Sequence, residues 1–188
     1  MKFKITLKID RKYGDLLPFN YQYEQSAVIY RILAQADTKY SSWLHENGYD
    51  VNGCKRFKLF CYSPFIFEKV RPLPEAGCLK IIGERAVWYI SFIPEKSTLE
   101  FIQGIFAHQS FTIGNRKYQV AFDVVGVEAI PMPQLSEEMT FQAVSPICVK
   151  LHVDNKTQYL SPDNPMFAEG ILKGLMARYE SIHGQPFD

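Results

Sequence analysis

Apolar and polar residues alternate strictly at the start of the chain. Phe3, Ile5, Leu7 and Ile9 interleave with Lys2, Lys4, Thr6 and Lys8, and a period of two predicts a strand with one apolar and one lysine-bearing face. Gly14 and Pro18 then mark a loop. From Gln22 to Ala36 the period lengthens. Ala27, Tyr30, Leu33 and Ala34 recur at three and four, with Ile29 and Ile32 widening the stripe, which predicts a helix. A shorter helix is expected over 41–47, with Ser41 or Thr38 as cap and Gly48 as stop. Asn52-Gly53 signals a turn. Residues 56–63 read as one strand, with Phe57, Leu59 and Cys61 on one face and Lys58, Phe60 and Tyr62 on the other. Residues 79–82 and 86–93 read as strands across Gly83-Glu84. Residues 96–108 read as an amphipathic helix with Leu99, Ile102 and Phe106 on one stripe and Phe101, Ile105 and Phe106 in the core. Residues 111–113 and 117–127 read as strands joined at Gly114-Asn115.

The order strand, helix, strand, strand, helix, strand predicts an α+β fold, a ferredoxin-like (RRM-like) βαββαβ domain over residues 1–128. Two helices would cover one face of its antiparallel sheet and leave the other open. Pro131-Met132-Pro133 falls in a linker over 129–138. Beyond it come a strand-like stretch at 139–153 and a helix at 165–179, opened by Asn164-Pro165. Residues 139–188 thus read as the start of a second, incomplete ferredoxin-like domain, inferred from element order alone.

Composition adds exclusions. Of 188 residues, 47% are hydrophobic and 22% charged, which is globular and excludes wholesale disorder. No apolar run approaches the roughly 18 residues of a membrane span, and Met1-Lys2-Phe3-Lys4 lacks a signal peptide's apolar centre. The expected compartment is therefore the cytoplasm, with thiols reduced. Net charge is +1, but residues 1–60 hold 10 Lys/Arg against 6 Asp/Glu, a mild bias that fits a polyanion weakly. Cys54, Cys61, Cys78 and Cys148, and His45, His108, His152 and His183, show no metal-ligand spacing. No metal or cofactor is expected, so chemistry falls to side chains. Cys61 and Cys148 lie in apolar strand-like segments and read as core. There is no phosphate loop, dinucleotide fingerprint or nucleophile elbow.

Three side chains have the types that metal-free RNA cleavage needs: Tyr30, His45 and Lys58. In that reaction the 2′-hydroxyl attacks the adjacent phosphate. A proton must leave the 2′-oxygen, another must reach the departing 5′-oxygen, and the phosphorane charge must be stabilised. Histidine and tyrosine can move protons and lysine can stabilise charge. Taken singly, the three read more readily as a core-edge tyrosine, a solvated helix-end histidine and an exposed lysine. Spacing alone does not distinguish them.

The surrounding words do. Pro18-Phe19-Asn20-Tyr21-Gln22-Tyr23, then Ile29-Tyr30, then Trp43-Leu44-His45-Glu46-Asn47-Gly48-Tyr49, then Phe57-Lys58-Leu59-Phe60-Cys61-Tyr62-Ser63 resemble the opening of the CRISPR repeat-processing endoribonucleases of Cas family six. Val144-Ser145-Pro146-Ile147-Cys148-Val149, Tyr159-Leu160-Ser161-Pro162 and Leu175-Met176-Ala177-Arg178-Tyr179 resemble later stretches of that family. The resemblance implies tandem ferredoxin-like domains that cut CRISPR precursor RNA without metal, leaving 2′,3′-cyclic phosphate and 5′-hydroxyl ends. It implies Tyr30 as general base, His45 as general acid and Lys58 as charge stabiliser, with Lys55 and Arg56 as competitors for the last role. Lys55, Arg56, Lys2 and Lys4 are the expected RNA contacts. Gly114-Asn115-Arg116-Lys117 reads as a solvated hairpin tip. Nothing after Tyr179 resembles the glycine-rich loop of the family's second domain. Beyond precursor RNA, the partners this reading admits are Cas effector proteins, a fused reverse transcriptase–integrase and a second copy forming a homodimer. No membrane is expected. The alternatives are a non-catalytic RNA-binding or assembly module and a structural dimerisation domain.

Overall fold

In chain order the elements are β1 (Lys2–Asp10), β2 (Leu16–Pro18), α1 (Gln22–Ala36), α2 (Thr38–Glu46), β3 (Tyr49–Val51), β4 (Lys55–Phe57), β5 (Phe60–Tyr62), β6 (Ile66–Phe67), β7 (Val70–Leu73), β8 (Cys78–Ile81), β9 (Arg85–Phe92), α3 (Glu95–Ala107), β10 (Ser110–Gly114), β11 (Gln119–Ile130), β12 (Val149–Val153), β13 (Lys156–Leu160) and α4 (Met166–His183). The structure, a computed structural model, describes residues 1–51, 53, 55–143, 145–153 and 156–187. Asn52 of the expected turn, Cys54 and Val144 lie outside the described residues. The chain forms two compact units, Met1–Glu46 with Phe60–Gln134 and Asn47–Leu59 with Leu135–Asp188. No helix among the described residues is long and apolar enough to cross a membrane.

The alternation at the N-terminus builds the centre of the first unit. Phe3, Ile5, Leu7 and Ile9 are buried on one face of β1, while Lys2 and Lys8 are exposed on the other. β11 and β9 flank β1, and the sheet runs β10-β11-β1-β9-β5 with every pair antiparallel. Apart from the extra edge strand β10, the spatial order is fourth, first, third, second, that of a ferredoxin-like sheet. α1 and α3 pack against each other. Trp88, Phe92, Phe101 and Phe122 are fully buried with Ile5, Leu7, Ile29 and Leu33, each large side chain contributing about 1.5–3 kcal/mol by leaving water. The two helices meet at Gly104, where an added methyl group would overlap the Ile32 carbonyl. A small sheet, β2-β8-β7, completes the unit.

The second unit consists of the β3–β4 hairpin, the β12–β13 hairpin and α4. α4 packs against β3 and β12. Its Leu172 and Leu175 stay exposed.

Several expectations are corrected. The single strand over 56–63 is broken, because Leu59 has a left-handed φ of 55° and cannot continue the pleat. β4 therefore ends at Phe57 and β5 starts at Phe60. Cys61 is exposed, not core, because it pairs with Ser91, on the face opposite the buried Ile90 and Phe92. Cys148 is also exposed, lying before β12 in the irregular chain that replaces most of the expected 139–153 strand. In α3, Phe101 and Ile105 are buried, but Leu99 and Phe106 face solvent. α4 runs on to His183.

Candidate active site

α1 and α2 bring the first two candidate residues together. The Asp37 carboxylate between them accepts the Tyr40 N–H at 2.9 Å, which caps α2, and pairs with Lys96 at 3.2 Å. That backbone hydrogen bond, then Lys96, holds the Asp37 carboxyl below its usual range. The Tyr40 hydroxyl shares a hydrogen bond with Ser97 of α3, and Leu44 is fully buried. The buried Ser41 hydroxyl donates to the Tyr30 carbonyl at 2.8 Å. Four residues on, and so on the same helical face, the exposed His45 meets Tyr30 edge to face, with ring centroids 4.9 Å apart and planes at 83°.

β5 supplies the floor. Phe60 lies 5.8 Å from the Tyr30 ring, again edge-on, and Phe92 lies beneath it at 5.8 Å. Tyr62 sits 6.3 Å from Phe60 and donates its hydroxyl to the Gln22 carbonyl at 3.0 Å, tying β5 to the start of α1. Tyr30 is half-buried. Burial, and then the nearby Tyr62 phenol, push its pKa above the ordinary tyrosine value, so at neutral pH it holds its proton.

Lys58 belongs to the second unit and follows β4. Its side chain lies over Gly48, which has φ +71°. A Cβ on Gly48 would stand 2.6 Å from the Phe57 carbonyl oxygen and 3.3 Å from the Lys58 Nζ, so only glycine fits under this lysine. Burial, then the positive charge of Arg56, push the Lys58 ammonium below its ordinary pKa. Lys55 and Arg56 are exposed on β4. Of the expected RNA contacts on β1, Lys2 lies 5.3 Å from the centroid of the Tyr89 ring, and Lys4 is engaged by Glu128 at 3.1 Å. The Asn115 carboxamide accepts the Lys117 and Tyr118 N–H groups, closing the hairpin tip as a turn. Among the described residues no cluster of three or more His, Cys, Asp or Glu side chains could hold a metal ion.

Sequence reasoning missed the residues that build this setting. The sequence marks Ser41 only as a possible cap, although its spacing from His45 puts both on one face. Alternation puts Phe60 and Tyr62 on one strand face, but nothing in the sequence ties that face to Tyr30.

A ferredoxin-like sheet carrying a tyrosine–histidine pair at the edge of its helical layer defines an α+β protein with a compact polar site beside β5. Residues 16–123 match the family model described as CRISPR-associated protein Cas6, N-terminal, and residues 130–188 match that of the Cas6 C-terminal region. The chain belongs to the Cas6 family. It is 25% identical to the CRISPR-associated endoribonuclease Cas6 1 of Methanocaldococcus jannaschii, over 98% of this chain and 68% of the relative. Among solved structures, a Cas6-related protein from Pyrococcus furiosus matches with TM-score 0.80 at 23% identity, covering 100% of this chain and 73% of the other. A RAMP protein described as binding different RNA substrates matches with TM-score 0.77 at 24% identity, covering 99% and 73%. These two likenesses concern the fold. The chain spans roughly seven-tenths of the length of these relatives.

Proposed function

We propose that the chain is a metal-independent endoribonuclease that binds CRISPR repeat precursor RNA and cuts it by 2′-hydroxyl attack. The observation that carries this reading is the approach of the Tyr30 and His45 rings to 4.9 Å, which sets side by side two groups able to transfer protons. The name of the Methanocaldococcus jannaschii relative, an endoribonuclease, supports it. As the O2′–P bond forms, the minor phenolate form of Tyr30 takes the 2′-proton. His45 gives a proton to the 5′-oxygen as the P–O5′ bond breaks. The products carry a 2′,3′-cyclic phosphate and a 5′-hydroxyl. Lys58 stabilises the phosphorane, a role resting on its place in the Phe57–Ser63 word. Lys55, Arg56, Lys2 and Lys4 contact RNA phosphates, Lys4 after giving up Glu128.

In a single-turnover assay with end-labelled repeat RNA, His45→Ala is expected to slow cleavage by at least about 100-fold while leaving RNA binding within a few fold. A His45→Ala protein that cuts at the wild-type rate would overturn the reading. RNA binding without cutting is a second reading. The raised Tyr30 phenol favours it, because a base that holds its proton is a poor base. Tight repeat binding with no cyclic-phosphate product would establish it.

A further inference from the structure

The second unit holds a cleft of about 570 Å³ lined by Lys55 and Phe57 of β4, by residues 147–150 and His152 around β12, and by one face of α4 ending at Arg178. Its charge is segregated. Residues 47–59 and 135–188 carry seven Lys/Arg and eight Asp/Glu. Three of those cations, Lys55, Lys150 and Arg178, line the cleft, and among the described residues no carboxylate does. None of the three makes a salt bridge among the described residues.

Arg178 is also held in place. Its Nη1 donates to the Gly174 carbonyl at 2.7 Å, and its guanidinium lies 5.1 Å from the centre of the Phe57 ring, a cation–π contact. A Cβ at position 174 would stand 3.1 Å from Nη1, so the glycine makes room for the fork. One N–H of five is spent on Gly174, and a guanidinium already fixed against a ring loses little freedom when its other donors bind. Ile147 and Leu175, both more than half exposed, supply apolar surface beside the cations.

We propose that this cleft is a second RNA contact, holding a single-stranded segment of the substrate by its phosphates on Arg178 and Lys150. Charge complementarity selects the occupant. Cations without carboxylates beside exposed apolar side chains suit a polyanion with apolar faces, which is single-stranded nucleic acid. The inference rests on the RNA-processing reading and adds Arg178 and Lys150 to the residues that read proposes.

The test uses the full chain and a labelled repeat RNA whose attacking 2′-hydroxyl is replaced by hydrogen, so that binding is measured without cleavage. The variant is Arg178→Gln with Lys150→Gln, its folding checked by circular dichroism. Its affinity is expected to fall roughly tenfold, as for the loss of a charge-assisted contact. The slope of log affinity against log salt is expected to become shallower by about 1.4, or about 0.7 for each lost phosphate contact on a single strand. Arg178→Lys, which keeps the charge, retains the slope. With cleavable RNA, the loss appears in the RNA concentration needed for half-saturation. Unchanged affinity and slope in the folded double variant would overturn the proposal and leave the cleft to a protein segment. If the wild-type chain neither binds nor cuts repeat RNA, this proposal and the nuclease reading fall together. If the wild type does both and the double variant binds equally well, this proposal alone falls.

Discussion

A phenol and an imidazole acting as base and acid must hold opposite protonation states at once. An ordinary phenol titrates at about 10, so its basic form is already scarce at neutral pH. Burial raises the Tyr30 phenol further, so its phenolate is scarcer still and single-turnover cleavage at neutral pH should be slow. Loss of the Lys58 charge adds an alkaline limit to the rate. Its depressed pKa means that the ammonium loses its charge at a lower pH than an ordinary lysine, and the rate should fall as pH rises through that point. Lys58→Arg keeps a charge throughout the alkaline range. It is expected to push this fall upward while lowering the rate at neutral pH, because a guanidinium fork does not reproduce the position of one Nζ over Gly48. A pH–rate profile of both proteins checks this. An alkaline limb that stays in place in Lys58→Arg would show that Lys58 is not the group whose charge counts. The words around these side chains single them out as candidates, but their environment is not legible there. Neither Tyr62 beside Tyr30 nor Arg56 beside Lys58 can be weighted as a perturbing group until the backbone is folded.

Elements repeat the lesson in backbone terms. Period two in β1 and the three-four spacing in α1 located both elements correctly, because one face of each is buried and side-chain pattern follows burial. The unbroken alternation through 56–63 hid a break, because Leu59 adopts a left-handed conformation that alternation cannot report. In α3 two candidate apolar stripes competed. The buried one is Phe101 and Ile105 with Gly104 between them, a glycine that a hydrophobicity count ignores. It marks a close approach of α3 to the Ile32 backbone of α1. Gly104→Ala would push a methyl group into the Ile32 carbonyl, backbone that cannot swing aside. It is expected to destabilise the fold by at least about 1–3 kcal/mol, the cost of overpacking a filled core, despite alanine's better helix propensity. Gly126→Ala is the control, since its added methyl would meet only the Thr6 side chain at 3.7 Å. Urea denaturation midpoints separate the two. Equal midpoints would mean that α1 and α3 do not meet at Gly104.

At the scale of the molecule, a net charge of +1 gives almost no long-range attraction for a polyanion. Under the proposed function, RNA affinity comes from local groups of cations, and Lys58 meets the transition-state charge. Nucleases that use two divalent ions gather carboxylates to hold them. Here the groups proposed to face RNA are cations instead: Lys2, Lys4, Lys55, Arg56, Lys58, Lys150 and Arg178. A positive charge fixed on a side chain is not removed by a chelator. Cleavage by the wild-type chain is therefore expected to proceed at the same single-turnover rate after exhaustive treatment with EDTA, and to fall with added monovalent salt as RNA binding weakens. Measuring the rate at RNA concentrations well above half-saturation separates the two effects, since salt should then matter little. A rate abolished by EDTA and restored by magnesium would transfer the charge stabilisation from Lys58 to a metal and end the side-chain mechanism. The same loss in His45→Ala alone, with EDTA harmless, would keep it.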